Sequence, residues 1–259
     1  MSKHIREIRE HPGDPIGGGS GEKTHFTVEY LGKRNNAEFP YTVANEVVAT
    51  QIGISLGLSV PTVITHDIGT EPIALIQMLD RDATIQGQPP AAAKALEAFV
   101  SEHPDEVHGA IVFDLFIANN DRAFGPLRRN VAIDGHGQLQ LYDHGNSCFY
   151  RPRPDVGIQA GIPRLDAVEK DIAAIFDKGR ENHYLEFLTD ISLVKKWCGR
   201  IKQLPEFLIE AAVDRIPRST VLPNNGERTR LAEFLKTRRL YLYDRIVESR
   251  GLFPGLAKG

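Results

Sequence analysis

The 259-residue sequence predicts an α+β fold: a small sheet with one helix in the N-terminal third, then a helical remainder. Three observations predict it. Short apolar runs of β character, bounded by turn residues, cluster before residue 80. Apolar residues at helical spacing dominate from Ala91 onward. A hairpin signal interrupts those helices between Asn130 and Tyr142.

The elements follow in order. Residues 3–10 alternate weakly and read as an edge strand, and His11 to Gly21, rich in Gly and Pro, reads as a loop. Residues 24–31 give the clearest strand, with Phe26, Val28 and Tyr30 on one face. Thr42 to Leu56 is helical, with Val43, Val47, Ala49, Thr50 and Ile54 as its buried side. Pro61–Thr65 and Pro72–Met78 are two further strands. From Ala91 the expected helices are 91–102, 106–119, 165–178, 183–189, 191–203, 205–215 and 227–249. In the last, Leu231, Phe234, Leu235, Arg238, Leu242 and Ile246 keep helical spacing. Arg151 to Pro163 has three prolines and no periodicity, and reads as a loop.

Composition excludes several classes. Hydrophobic content of 41% and charged content of 25% are those of a soluble globular chain. A net charge of −3 gives no general attraction to nucleic acid or anionic membrane. Cys148 and Cys198 have no metal-ligand spacing and read as unpaired thiols. With no apolar N-terminal segment and no long apolar run, a cytoplasmic protein without a membrane partner is expected.

The chemistry concentrates in Asn119-Asn120-Asp121-Arg122, then Asn130, then Tyr142-Asp143-His144-Gly145. Val107 to Asn119 reads as a buried helix, so Asp121 falls on the loop after it. Asn130–Ile133 and Leu139–Tyr142 flank the turn Asp134-Gly135-His136-Gly137. Antiparallel pairing across that turn would bring Asn130 and Asp143 side by side. An acid, an amide and a second acid suit phosphoryl transfer from a metal-bound nucleotide. One carboxylate orients the attacking hydroxyl, while the amide oxygen and the other carboxylate hold Mg²⁺.

The segment from Phe113 to Phe149 resembles the catalytic region of HipA-like kinases and, more distantly, that of the phosphatidylinositol 3- and 4-kinases. Ala44-Asn45-Glu46-Val47 followed by Leu56-Gly57-Leu58-Ser59-Val60-Pro61 is similar to the HipA-like helix whose Glu pairs with a nucleotide-binding Lys. Ile5 to Gly19 resembles the first strand and glycine-rich turn of the shorter members. The resemblance implies a two-lobed kinase-like fold, with an N-lobe of residues 1–80 and a helical C-lobe of 81–259. It implies ATP and Mg²⁺ as cofactors, a nucleotide partner and a protein serine/threonine substrate. Asp121 with Arg122 would be the catalytic pair, and Asn130 and Asp143 the metal ligands. Gly18, Gly19, Lys33, Glu46, Gln77 and Met78 would line the nucleotide site, with Gln77 and Met78 in the hinge.

The chain departs from that family pattern in two places. The Asp-to-Asn spacing is longer and carries Arg128 and Arg129, which are surface charges or phosphate contacts. The strand position of the family's Lys aligns with Glu29. Lys33 shares its parity but would lie about 13 Å further along a regular strand. A binding module without catalysis, or a small-molecule phosphotransferase, are the competing expectations.

Overall fold

The computed structural model describes residues 10–11, 25–26, 30–68, 71–77, 90–125, 130–133, 137–153, 157, 159–176 and 185–257. Gly18, Gly19, Glu29, Met78, Arg128 and Arg129 lie outside the described residues.

A two-residue ladder pairs β1 (Glu10–His11) with β2 (His25–Phe26). The main sheet has β5 (Glu71–Gln77) at its centre, antiparallel to β3 (Tyr30–Arg34) and to β4 (Val63–Ile68). Helix α1 (Thr42–Ser55) covers one face of this sheet. Val43 and Val47 of α1 pack there with Val63, Ala74 and Ile76, and Leu31 closes the cluster. The strand bearing Lys33 thus lies at 30–34, beyond the run in which Phe26, Val28 and Tyr30 alternate. Pairing decides this: Leu31 lies opposite Ile76 and Lys33 opposite Ala74. Gly32 permits it, because a Cβ there would meet Ile73 Cδ1 at 2.5 Å.

The opposite side of α1 joins the principal core through Ala44, Val48, Ala49, Ile52 and Leu56. A helix buried on both sides has no single apolar stripe, so the expected buried face is only part of the true one. Thr50 is buried as expected, but Ile54 is 48% exposed.

The helical lobe comprises α2 (Ala93–Glu102), α3 (Pro104–Phe116), α4 (Ile162–Lys170), α5 (Ile191–Lys202), α6 (Glu206–Asp214), α7 (Asn225–Glu248) and α8 (Pro254–Ala257). Short 3₁₀ turns occupy Ile172–Ile175, Leu185–Phe187 and Arg250–Leu252. Helix α3 is buried along Val107–Phe116 and forms the axis of the core. Trp197 of α5 lies against Gly109, where a Cβ would stand 2.5 Å from the indole. Helix α7 begins with a reciprocal capping box between Asn224 and Glu227, which satisfies two otherwise orphan amides. The apolar positions expected of α7 are buried, and so is Arg238.

Strands β6 (Val131–Ile133) and β7 (Leu139–Leu141) form the hairpin read from the sequence, with Val131 opposite Leu141. Leu141 N–H also donates to the Ser59 carbonyl at 2.8 Å, which ties the hairpin to the loop after α1. Among the described residues, no helix is long and apolar enough to cross a membrane.

Candidate active site

The candidate site is assembled where α3 ends. Burial in an apolar helix makes Asp114 need a partner, and Arg122 supplies it. Arg122 Nε donates to Asp114 Oδ2 at 2.5 Å and Nη2 to Asp114 Oδ1 at 3.0 Å. Both side chains are fully buried. Arg122 Nη1 donates onward to the Asn130 carbonyl, and to the Tyr142 carbonyl at 3.4 Å. One guanidinium therefore holds the end of the helix and both sides of the hairpin. Its planar fork suits this, since it presents several donors in fixed geometry.

Arg238 supports the same corner from α7. It donates to the Leu115 carbonyl through Nε at 3.0 Å and Nη2 at 2.7 Å, and to the Val168 carbonyl through Nη1 at 3.1 Å. The Leu115 carbonyl lies in the last turn of α3, where helix carbonyls lack intrahelical partners.

Asp121 follows on the loop. Its N–H donates to Asn119 Oδ1 at 3.2 Å, and its carbonyl accepts from Asn130 Nδ2 at 2.6 Å. Its carboxylate Oδ2 accepts from Asn146 Nδ2 at 2.8 Å. The hairpin brings Asn130 beside the Asp143 strand end, with Tyr142 N–H donating to the Asn130 carbonyl at 3.2 Å.

Asn130 and Asp143 both adopt positive φ, 62° and 58°. Ala118, Cys148 and Tyr150 do so as well, at 55°, 44° and 52°. Among the described residues, every non-glycine positive φ falls between 118 and 150. Such conformations cost about 1–3 kcal/mol each and persist only where packing over-determines them. Here Ala118, Cys148 and Tyr150 are buried, and Asn and Asp tolerate the left-handed region best.

Lys33 enters from the sheet. Leu31 faces α1, so Lys33, two residues on, shares that face. Glu46 lies on the same side of α1 as Val43 and Val47. Lys33 Nζ lies 2.6 Å from Glu46 Oε1 and 2.5 Å from Asp143 Oδ1. Among the described residues it is Lys33 that is set against Glu46.

Glu46 is buried, and its other oxygen accepts from His144 N–H at 3.0 Å. Burial pushes the Glu46 carboxyl up, against the Lys33 charge that draws it down. For Lys33, burial works against the charged form, but Glu46 and Asp143 together outweigh it and raise its pKa. His144 is held well below the usual histidine range by burial, with Arg122 and Lys33 adding to the effect.

Gln77 ends β5 with its side chain exposed and its N–H donating to the Thr62 carbonyl at 2.9 Å.

The donors fit a hard cation. Asn130 engages Asp121 through its Nδ2, which leaves its carbonyl oxygen as a ligand. The Asp143 side chain is 41% exposed. Mg²⁺ takes few protein oxygens and keeps waters. No group of three or more His, Cys, Asp or Glu able to hold a metal occurs among the described residues. A metal here would therefore be held by one amide, one carboxylate and water.

Two contributors were not singled out from the sequence, Asp114 and Asn146, and Asn45 appeared there only as part of the Asn-Glu motif of the α1 helix. Asn45 Nδ2 donates to the Gly145 carbonyl at 2.8 Å, and its Oδ1 accepts from Phe149 N–H at 3.3 Å. A lone acid inside the apolar run of α3 was the available signal for Asp114. The Asn45 partners lie 100 and 104 residues away and the Asn146 partner 25 residues away, so no local pattern shows these contacts.

No protein-family profile and no curated protein matches the sequence. Solved structures do match the fold. The chain is similar to the Helicobacter pylori proinflammatory kinase CtkA, with a TM-score of 0.55 and 15% identity over 95% of this chain and 96% of that one. It also matches HipA of Shewanella oneidensis MR-1, solved in a complex with HipB and operator DNA. That match has a TM-score of 0.44 and 13% identity over 92% of this chain and 66% of that one. The fold is therefore α+β and two-lobed, a kinase-like fold similar to that of CtkA.

Proposed function

We propose that this protein is an ATP- and Mg²⁺-dependent kinase of HipA-like type that transfers the γ-phosphoryl group to a hydroxyl, with serine or threonine of a protein as substrate. The observation that carries this reading is Lys33 Nζ held between Glu46 and Asp143. A lysine braced by a helix glutamate is how kinases place a cation on nucleotide phosphates.

The nucleotide would lie between a lobe of residues 1–80 and one of 81–259. Gly18, Gly19, Gln77 and Met78 are proposed to line it, on the family resemblance alone. Asn130 and Asp143 would hold Mg²⁺, which supplies charge neutralisation on the phosphates. Asp121 accepts the proton of the attacking hydroxyl. Its backbone is fixed by Asn119 and Asn130. Arg122 is buried against Asp114 and acts by positioning the loop and hairpin.

The test is turnover of γ-labelled ATP with Mg²⁺ by wild type and Asp121→Asn, with Mg·ATP binding measured alongside. Loss of a general base should lower the rate at least about 10²-fold with little change in affinity. Asp143→Ala should abolish Mg·ATP binding. Equal turnover in Asp121→Asn, or equal affinity in Asp143→Ala, would remove those residues from the site.

A further inference from the structure

We infer that Asn146 is a positioning residue for the phosphoryl acceptor. It fixes the Asp121 carboxylate and links it to the helix that carries Glu46. This rests on the reading of Asp121 as the base.

The contact is direct: Asn146 Nδ2 donates to Asp121 Oδ2 at 2.8 Å. Asn130 Nδ2 lies 3.5 Å from the same oxygen and is engaged at 2.6 Å by the Asp121 carbonyl. Asn130 therefore holds the backbone of Asp121, while Asn146 holds its carboxylate. A donor fixed on one carboxylate oxygen sets the rotation of the group.

Asn146 is itself held tightly. The Gly145 carbonyl before it accepts from Asn45 Nδ2 at 2.8 Å. The Ser147 N–H after it donates to the His144 carbonyl at 3.0 Å, and the Ser147 hydroxyl donates to the same carbonyl at 2.8 Å. Phe149 N–H returns to Asn45 Oδ1 at 3.3 Å. Asn45 precedes Glu46 on α1, and the His144 N–H binds Glu46 Oε2. One short segment, 143–149, thus carries the Lys33 partner Asp143 at one end and the Asp121 clamp Asn146 three residues later. A shift of α1 would move both.

The amide orientation follows from charge. Turning Asn146 over would place its carbonyl oxygen against the Asp121 carboxylate. As placed, Asn146 Oδ1 is buried without a hydrogen-bond partner. An unsatisfied buried acceptor is unfavourable. It is tolerated at this position because the alternative sets two acceptors face to face.

The experiment uses the full chain, with Mg·ATP as probe and γ-labelled ATP turnover as readout. Asn146→Ala should lower kcat about 10- to 100-fold, the scale of a slightly misplaced reacting group, with Mg·ATP affinity within about 2-fold of wild type. Asn146→Asp keeps the size and replaces the donor by a second carboxylate. It should lose at least as much rate, so the test survives a poorly folded alanine variant. In an Asp121→Asn background, Asn146→Ala should cost no further rate, because the two groups act as one. Losses that multiply in the double variant, or full rate in both single variants, overturn the inference. Wild type that turns over no ATP overturns the kinase reading together with it. Turnover in wild type with full rate in the Asn146 variants overturns this inference alone.

Discussion

At the scale of the residue, Lys33 carries the charge balance of the site. Without its ammonium, the Glu46 carboxylate would face Asp143 while almost wholly out of water. Burial of an unpaired carboxylate favours its protonated form. Glu46 would then stop bracing anything. Lys33→Ala should therefore weaken Mg·ATP binding by about 10-fold or more and lower turnover about 10²- to 10³-fold, the scale of a lost electrostatic contact to a transition state. Glu29→Lys should leave both unchanged. Titration calorimetry and labelled-ATP turnover on the two variants decide the matter. A silent Lys33→Ala with improved binding in Glu29→Lys would make the chain a degenerate nucleotide-binding module.

At the scale of the element, the end of α3 is joined to the hairpin by the Asp114–Arg122 pair. Replacing such a pair with apolar groups can be neutral, but deleting one member strands a buried charge. Asp114→Ala should cost about 3–5 kcal/mol of unfolding free energy, read as a lower urea midpoint at unchanged slope. Turnover should fall even where the protein remains folded, since both strand ends that carry Asn130 and Asp143 lose their common anchor. A cost below about 1 kcal/mol, the usual worth of an exposed pair, would show that the hairpin is held by its core contacts alone.

At the scale of the whole molecule, α1 joins the lobes. It contributes to both hydrophobic clusters. Arg200 Nη2 donates to the Leu56 carbonyl at 2.6 Å, and the Tyr41 hydroxyl donates to Glu227 Oε1 at 2.5 Å. Unfolding should be one transition, coincident by circular dichroism and by fluorescence of Trp197, the single tryptophan. Its stability should fall with acid. Burial lowers the pKa of both His108 and His144. In His108, Nδ1 donates to the Pro104 carbonyl at 2.6 Å, and Nε2 accepts from Thr189 and Asp190 N–H at 3.1 and 3.0 Å. Both rings are neutral in the fold, and the unfolded chain binds the proton more readily. Their contribution is therefore present above the ordinary value of 6.5 and lost as pH falls below it. Urea titrations between pH 7.5 and 5 should show this slope, and His144→Phe should flatten it. An unchanged slope would place the titration elsewhere.

The sequence by itself determined the class of fold and most of its segments. Periodicity marks Thr42–Leu56 and the α7 stripe, and the turn at 134–137 implies the hairpin that joins Asn130 to the Asp143 end. These signals are local, because helix spacing and turn chemistry act over a few residues. The tertiary structure decided the rest. Lys33 reaches Glu46 because β3 pairs with β5 at 30–34, and no local alternation announces that register. Helix α1 is buried on two sides, so Ile54 points away from the face its spacing suggested. Arg122 resembles a loop charge in sequence and becomes a buried strut only when Asp114, on the preceding helix, lies against it. Asn45 and Asn146 gain their roles from partners that only the packed chain brings within hydrogen-bond reach. Backbone pairing and long-range burial are properties of the assembled molecule, and a linear pattern carries them only where it is also periodic.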